Sequence, residues 1–335
     1  MSAYDEAAAA LRVPLAADVS DRRDLIRYAT LAANSHNTQP WKFRIGQHEI
    51  DILPDQSRRT PVVDPDDHHL FATLGCATEN LIIAAAARGL AGAATFMPDG
   101  GGFVRVALEH TATRETPAFK AITERGVSRA VYDGKPLPAN TIMALEAAAR
   151  SEAVDVVMIT DRARIEAILG LVVEGNNAQF TDPAFMAELK SWIRFDAAEA
   201  IRTGDGLFTG TTGNPSIPQW LGRLIFRFVA SPKVEADKYA AQIRSSAGLM
   251  ILLGKKADPQ HWVECGRSYQ RFALEATALG LKDAFVNQAV EVPVVREKLA
   301  AELGMKERRP DIVVRFGYGP AMPRSLRRPV NDVVI

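Results

Sequence analysis

The chain of 335 residues carries 40 Lys and Arg against 40 Asp and Glu, is 47% hydrophobic and 24% charged, and holds two cysteines. Balanced charge removes any long-range pull toward nucleic acid or an anionic membrane, and the composition is that of a globular protein with one large domain or two smaller ones. Cys76 and Cys265 form no CxxC pair, which leaves a zinc ribbon or redox dithiol unsupported; both are expected buried and inert in a reducing cytoplasm.

The first stretch, MSAYDEAAAALRVPLAADVSD, has early acids and no Lys or Arg ahead of its apolar run, which argues against a secretory signal. No run approaches the ~18 uninterrupted apolar residues of a membrane helix, so a cytoplasmic protein without membrane contact is expected. Asp21 caps a predicted helix over residues 21–35, which stops at Asn34-Ser35-His36-Asn37. Residues 43–45 and 50–53 read as strands around a Gly46-Gln47 turn. Residues 57–69 read as polar loop and 74–90 as an alanine-rich helix ended at Gly89. Gly100-Gly101-Gly102 supplies a turn before a strand at 103–108.

A second pattern then begins. Residues 118–125 and 140–150 read as helices, the latter capped by Asn140, and 154–160 as a strand. Residues 162–245 are largely helical, interrupted by a Gly/Thr/Pro-rich stretch at 203–218. Within them the short apolar run 224–230, with Arg227, reads as a core or lid helix. Strands follow at 249–253 and 312–316, helices at 262–281 and 294–303, and extended chain at 286–290. The two halves repeat weakly. Gly75, Ala85, Ala87, Gly89 and Leu90 match Gly266, Ala276, Ala278, Gly280 and Leu281 at a constant offset of 191 residues. In both halves an alanine-rich helix precedes a strand, the Gly-bounded helix and another strand. Two copies suggest a pseudo-two-fold arrangement with a site where they meet.

The segment Asn34-Ser35-His36-Asn37-Thr38-Gln39-Pro40-Trp41 packs hydrogen-bonding side chains into a helix-to-strand connection, with Pro40 biasing Gln39 away from helix. Such groups could read the edge of a planar ring with several acceptors, or could simply stop a helix and turn the chain. Two arginines four apart, Arg125 and Arg129, suit a dianion, and are also common on a solvated helix face. Asp64-Pro65-Asp66-Asp67-His68-His69 has metal-ligand residue types without a spaced partner, and reads as a hydrated loop entering a helix, so no metal is expected. No GxGxxG, Walker or G-x-S-x-G element appears.

The 34–41 segment resembles the S-S-x-N-x-Q-P-W signature of the nitroreductase family, a long and specific motif. Arg125-Gly126-Val127-Ser128-Arg129 is similar to that family's opening R-x-S-x-R turn, with Val127 where a serine is common. Trp262 to Leu281 resembles its central dimer helix, Phe285-Val286-Asn287-Gln288 the segment whose backbone meets flavin N5, and Phe316 to Pro329 its closing segment. The first half carries the ring-edge motif and the second the phosphate parts, a fused arrangement similar to the Acg-like branch. Glu188 to Arg194 followed by Asp205-Gly206-Leu207 shares that likeness.

The resemblance implies an α+β nitroreductase-like fold of two tandem halves, 1–115 and 116–335, forming an intramolecular pseudo-dimer with a helical lid insert over about 162–245. It implies FMN as cofactor and NAD(P)H as reductant. The electron acceptor would be a small molecule of nitro, quinone or enone type, and the chain either a monomeric pseudo-dimer or a homodimer. Arg125, Ser128, Arg129, Arg327 and Arg328 would serve the phosphate; Asn34, Ser35, Asn37 and Gln39 the ring or ribityl edge; backbone at Asn287 and Gln288 the N5 position. The flavin carries the chemistry, so no protein acid or base is required. Phe180, Phe185, Trp192, Phe195, Phe208, Trp220, Phe226 and Phe228 give the insert apolar mass enough to cover a flavin. That mass supports a second reading, a protein that sequesters FMN with little turnover.

Overall fold

The computed structural model describes residues 2–14, 21–229 and 231–335, and the side chains of residues 227–229 fall outside that description. The expectations placed on residues 15–20, on Ala230 and on the side chains of Arg227 and Phe228 therefore lie outside the described residues.

The first half runs α1 (Ala3–Ala10), α2 (Arg22–Thr30), β1 (Trp41–Ile45), β2 (Glu49–Pro54), α3 (His68–Ala86), β3 (Leu90–Met97) and β4 (Phe103–His110). Asp21 caps α2 by accepting from the Arg23 amide at 2.8 Å. Helix α3 starts six residues earlier than its apolar pattern indicates. The Asp64 carboxylate, well upstream, accepts from the amides of His69 (2.9 Å) and Leu70 (3.0 Å), satisfying orphan donors of the first turn. Gly89, at φ +72, ends the helical path, and the chain enters β3 at once. The middle of β3 is alanine and glycine, Ala91 to Ala94, which are poor strand formers. Its pairing with β4, from Leu90 opposite His110 to Met97 opposite Phe103, is what makes it a strand.

The second half runs α4 (Pro117–Glu124), α5 (Ala139–Ala149), β5 (Val154–Ile159), α6 (Arg162–Thr181), α7 (Pro183–Trp192), β6 (Ile193–Arg194), α8 (Ala197–Thr203), β7 (Leu207–Phe208), α9 (Gln219–Val229) and α10 (Pro232–Arg244). It continues with β8 (Gly248–Gly254), α11 (Pro259–Ala278), β9 (Lys282–Phe285), α12 (Gln288–Glu291), α13 (Pro293–Glu302) and β10 (Ile312–Gly317). Two expectations fail locally. Pro138, not Asn140, holds the N-cap position of α5, and Asn140 lies in the first turn. Residues 286–290 are not extended: Asn287 turns the chain, its Oδ1 accepting from the Val313 amide at 2.8 Å, and α12 follows as a single helical turn.

The architecture is α+β, with two four-stranded antiparallel sheets ordered β1-β2-β4-β3 and β5-β8-β10-β9. The orders correspond strand for strand, α3 matching α11. The β1–β2 hairpin turn of the first sheet is replaced in the second by everything from α6 to α10, so the insert occupies a hairpin position. Helix α3 packs on the first sheet, α11 on the second, and the two helices on each other. A Cβ on Gly75 would lie 1.9 Å from the carbonyl oxygen of Val263, and one on Gly266 would lie 1.8 Å from that of Ala72. Both pairs obey the 191-residue offset, so the contact is reciprocal, as a two-fold interface requires.

The strand patterns follow the layers. β8 is buried on both faces: Met250 and Leu252 join the central core, while Leu249, Ile251 and Leu253 face α6, α12 and α13. In the first sheet Val104, Val106 and Leu108 point inward, and the opposite face carries the cross-strand pair Asp51–Arg105 at 2.8 Å. One described helix, α3, is long and apolar enough to cross a membrane, and it is mostly buried in this core. The C-terminus returns to the first half, where Val334 bridges Phe43 on the edge strand β1.

Candidate functional site

Helix α2 ends in carbonyls with no helical partner. The next residues leave helical geometry sharply. His36, Asn37 and Gln39 take φ of 47, 53 and 53, three of the four left-handed non-glycine residues among those described. Pro40 bars Gln39 from the right-handed helical region. Each such residue costs about 1 kcal/mol, so bonds must hold the turn. The Asn34 Oδ1 accepts from the Gln39 amide at 3.0 Å, and the Thr38 amide donates to the Ser35 carbonyl at 2.9 Å.

The turn splits the motif into two faces. Ala33, Asn34, Ser35 and His36 line a cavity of about 740 Å³, while Asn37 and Gln39 point away from it and are buried. Asn37 Nδ2 donates to the carbonyls of Gly206 (3.1 Å) and Leu326 (3.2 Å). Gln39 Nε2 donates to the Gly204 carbonyl at 2.8 Å, and its Oε1 accepts from the Arg328 amide at 2.8 Å. These two side chains fasten the insert and the C-terminal tail to the first half.

The cavity lies between the halves and has the size of a cofactor or substrate site. The first half contributes the 33–36 segment and one side of α3, including His69 and Cys76. The second contributes Arg129, Tyr269, Asn287, Gln288 and Glu291, and the insert adds Phe180, Phe185, Phe195 and Phe226. Tyr239 of the insert lines it as well, and the other described aromatics of the insert are elsewhere. Trp192 stacks under Arg58, Phe208 packs on Tyr4, and Trp220 is exposed. The insert is anchored by Asp205, which pairs with Arg194 at 2.6 Å and with Arg58.

Of the predicted cations only Arg129 reaches the cavity. Its guanidinium has no hydrogen-bond partner among the described residues, and burial lowers its pKa. Arg125 is buried behind the wall, within electrostatic reach of Cys76 and Tyr269. Its Nη2 donates to the Leu31 carbonyl at 3.0 Å, while Nε and Nη1 have no partner. Ser128 donates to the Pro320 carbonyl at 2.8 Å and is buried. Arg327 is spent on structure: it donates to the carbonyls of Thr30 (2.5 Å), Ala32 (2.9 Å) and Leu326 (2.9 Å), and to Asn37 Oδ1 at 2.9 Å. It thus caps the negative end of α2. Arg328 donates to the Asp332 carbonyl at 3.0 Å and lies 3.8 Å from Asp55. Sequence placed Ser128, Asn37, Gln39, Arg327 and Arg328 at the ligand; the structure places them around the scaffold that shapes the cavity.

Asn287 and Gln288 do line it. Gln288 Oε1 is buried without a partner, an acceptor awaiting a donor. Three further titratable groups there had been given no role at the ligand from sequence. Burial lowers His36 to about 4, with Arg129 adding to the effect, and holds His69 well below the usual imidazole range, with His68 and Arg309 contributing. Burial also raises Glu291 to about 7, against a 2.6 Å hydrogen bond from Gln179 and with Asp64 and Glu188 adding to the rise. The signal for Glu291 was a lone acid inside an apolar run, Ala289-Val290-Glu291-Val292. Arg315 was missed as well. Fully buried in β10, it donates to the carbonyls of Ser128 and Ala130, both at 2.8 Å, and so fixes the turn that presents Arg129.

The 64–69 segment is a loop entering α3, exposed at Pro65 and Asp66 as expected, but it is not hydrated throughout. Asp64, His68 and His69 are buried with ligand atoms within 4.8 Å of one another, but Asp64 serves the α3 cap and His68 Nε2 meets Asp311 at 2.9 Å. Both cysteines are buried as expected. Cys76 borders the cavity, and burial pushes its thiol up to about 12.

No protein-family model matches the chain. It is 23% identical over 329 residues to "Putative NAD(P)H nitroreductase Rv3131" of Mycobacterium tuberculosis, covering 95% of this chain and 92% of the relative. It is 21% identical over 323 residues to "Putative NAD(P)H nitroreductase acg" of the same organism, covering 93% and 94%. Among solved structures, the FMN-dependent nitroreductase NfnB from Mycobacterium smegmatis in complex with NADPH aligns at a TM-score of 0.43 and 15% identity, over 64% of this chain and 96% of its own. A nitroreductase with bound FMN from Bacteroides fragilis aligns at 0.40 and 16%, over 66% and 98%.

Proposed function

We propose that this nitroreductase-like chain is an FMN-dependent oxidoreductase that transfers hydride from NAD(P)H to a small acceptor of nitro, quinone or enone type. The observation that carries the reading is a convergence on one cavity. The polar 33–36 segment of the first half faces the unpartnered guanidinium of Arg129 and the unpartnered Gln288 Oε1 of the second. The full-length likeness to relatives named as NAD(P)H nitroreductases supports it.

The residues present fit FMN. Asn34 and Ser35 suit the ring or ribityl edge, and the segment at Asn287 and Gln288 suits N5. Arg125, with two free buried nitrogens beside the cavity wall, and Arg129 suit the phosphate or the electron-rich pyrimidine edge. FMN, when bound, supplies the two-electron chemistry. The chain orients it, places a cation where negative charge grows, and excludes water with the aromatic wall of the insert. Asn37, Gln39, Ser128, Arg327 and Arg328 act as positioning residues.

In this reading residues 1–115 and 116–335 form an intramolecular pseudo-dimer, residues 162–245 a lid, and the molecule a monomer, which sedimentation tests. The four insert phenylalanines on the cavity favour a second reading, sequestration of FMN under a closed lid. The deciding experiment is the absorbance spectrum of the purified protein before and after anaerobic NADH and NADPH. Bound flavin that bleaches supports the oxidoreductase, bound flavin that does not bleach supports sequestration, and failure to take up FMN refutes both.

A further inference from the structure

The cavity contains one acid in an unusual setting. Glu291 ends α12, one helical turn beyond Asn287, whose carbonyl accepts from the Glu291 amide at 2.9 Å. It therefore stands close to the segment that the proposed function puts against the reactive edge of the flavin. Its carboxyl borders the cavity, takes a hydrogen bond from Gln179 of α6 at 2.6 Å, and faces His69 Nε2 of α3 at 3.6 Å, too far for a hydrogen bond. The other titratable groups around it are Asp64 before α3, Glu188 of α7 and Tyr239 of α10. Arg296 of α13 is turned to the neighbouring Val290 carbonyl at 3.0 Å, and no lysine or arginine among the described residues pairs with the carboxylate, so only the Gln179 hydrogen bond favours its charged form.

We infer that Glu291 is the proton donor to the electron acceptor, placed at the hydride-transfer end of the cavity by α12 and held there by Gln179 of the insert. The inference rests on the proposed function. FMN, once reduced by NAD(P)H, would supply the hydride to the acceptor's C=O, N=O or conjugated C=C bond. The Glu291 O–H bond breaks and its proton completes the new O–H, N–H or C–H bond. The acceptor gains two electrons, which the cofactor would supply with the hydride, and one proton from Glu291, whose carboxylate regains a proton from solvent before the next turnover.

The competing groups are unsuited. Burial keeps His36 and His69 neutral near pH 7, pushes Tyr239 up to about 12, and Lys238 is committed to Glu235 at 2.7 Å. Glu291, poised at about 7, can release and recover a proton there.

The test has two parts. Infrared difference spectra between wild type and Glu291→Gln, with and without FMN, should show a protonated-carboxyl band that titrates near neutrality and vanishes in the variant. Stopped-flow reoxidation of the reduced protein by a quinone and a nitroaromatic, from pH 5 to 9, should slow by about 100-fold in Glu291→Gln. The wild-type limb near pH 7 should disappear, and Glu291→Asp should restore part of it. The loss should exceed any change in flavin reduction by NAD(P)H. A wild type that reoxidises normally beside a variant with the same rate and pH profile overturns this inference and leaves the proposed function standing. A wild type that binds no FMN overturns both, and the infrared band still reports whether Glu291 carries a proton.

Discussion

Glu291→Gln has a consequence for stability that needs no cofactor. The substitution keeps the side chain's shape and the oxygen that accepts from Gln179, and removes only the capacity to ionise. In the unfolded chain this carboxyl titrates at 4.5, and in the folded protein at about 7. The folded state therefore binds the proton more tightly, and stability falls as pH rises through that interval. Below pH 4.5 the group is protonated in both states and contributes nothing. Above about 7 it is ionised in both, and the folded state carries the full penalty of about 3 kcal/mol. Gln carries none. Urea unfolding of the flavin-free proteins should give nearly equal stabilities at pH 4.5, and a variant more stable than wild type by about 3 kcal/mol at pH 8. Stability curves that run parallel from pH 4.5 to 8 would refute the argument, because they would mean that the buried acid titrates as it does in solution.

Three further outcomes are expected. Gly75→Ala puts a methyl group into the carbonyl of Val263, so α3 and α11 must separate; a loss of at least about 1–3 kcal/mol is expected from thermal unfolding, and an unchanged Tm would contradict the close approach of the two helices. Asp205→Ala leaves the partly buried Arg58 and the buried Arg194 without their carboxylate partner, at a cost of about 3 kcal/mol, and should speed hydrogen exchange in residues 193–217. Burial opposes ionisation of Asp205, but the two guanidiniums outweigh it and depress its pKa, so the same loosening should appear in wild type only as pH falls through that depressed value. Arg129→Met should raise the Tm of flavin-free protein by removing an unpartnered buried charge, yet weaken FMN binding by about 10–100-fold; Arg327→Gln should lower the Tm and weaken FMN and riboflavin equally, as fluorescence titration can show.

What could be read from the sequence was what local pattern determines. The Gly75/Gly266 correspondence identified the two central helices, because only glycine lets the carbonyl of a facing helix come so close to the backbone, and the repeat preserved that need in both copies. The helices of residues 162–245 were legible as periodicity, and it was the resemblance that marked them as an insert. β3 was invisible, since an alanine-rich strand owes its existence to β4 and has no pattern of its own. The start of α3 was misplaced because its capping acid, Asp64, works across a loop. Glu291 was marked in sequence only as an acid inside an apolar run, and its altered titration depends on neighbours from α3, α6, α7 and α10.

The predicted ring-edge motif is the most instructive case. All four of its candidate residues are near the site, but the backbone turn decides which face each one serves. With His36, Asn37 and Gln39 forced to positive φ, Asn34 and Ser35 look into the cavity while Asn37 and Gln39 look out, onto Gly204, Gly206 and the tail at Leu326 and Arg328. The outward face is where the insert and the C-terminus are tied down. Displacement of the insert's base must break the Gln39–Gly204 and Asn37–Gly206 bonds, both made by the segment that also forms the cavity wall. Movement of the covering helices and the shape of the polar wall are therefore coupled through two residues of one turn. A substitution at Asn37 or Gln39 would act on ligand affinity and on the mobility of the insert together, as would one at Asn34, whose Oδ1 holds the Gln39 amide, whereas one at Ser35 would act on affinity alone.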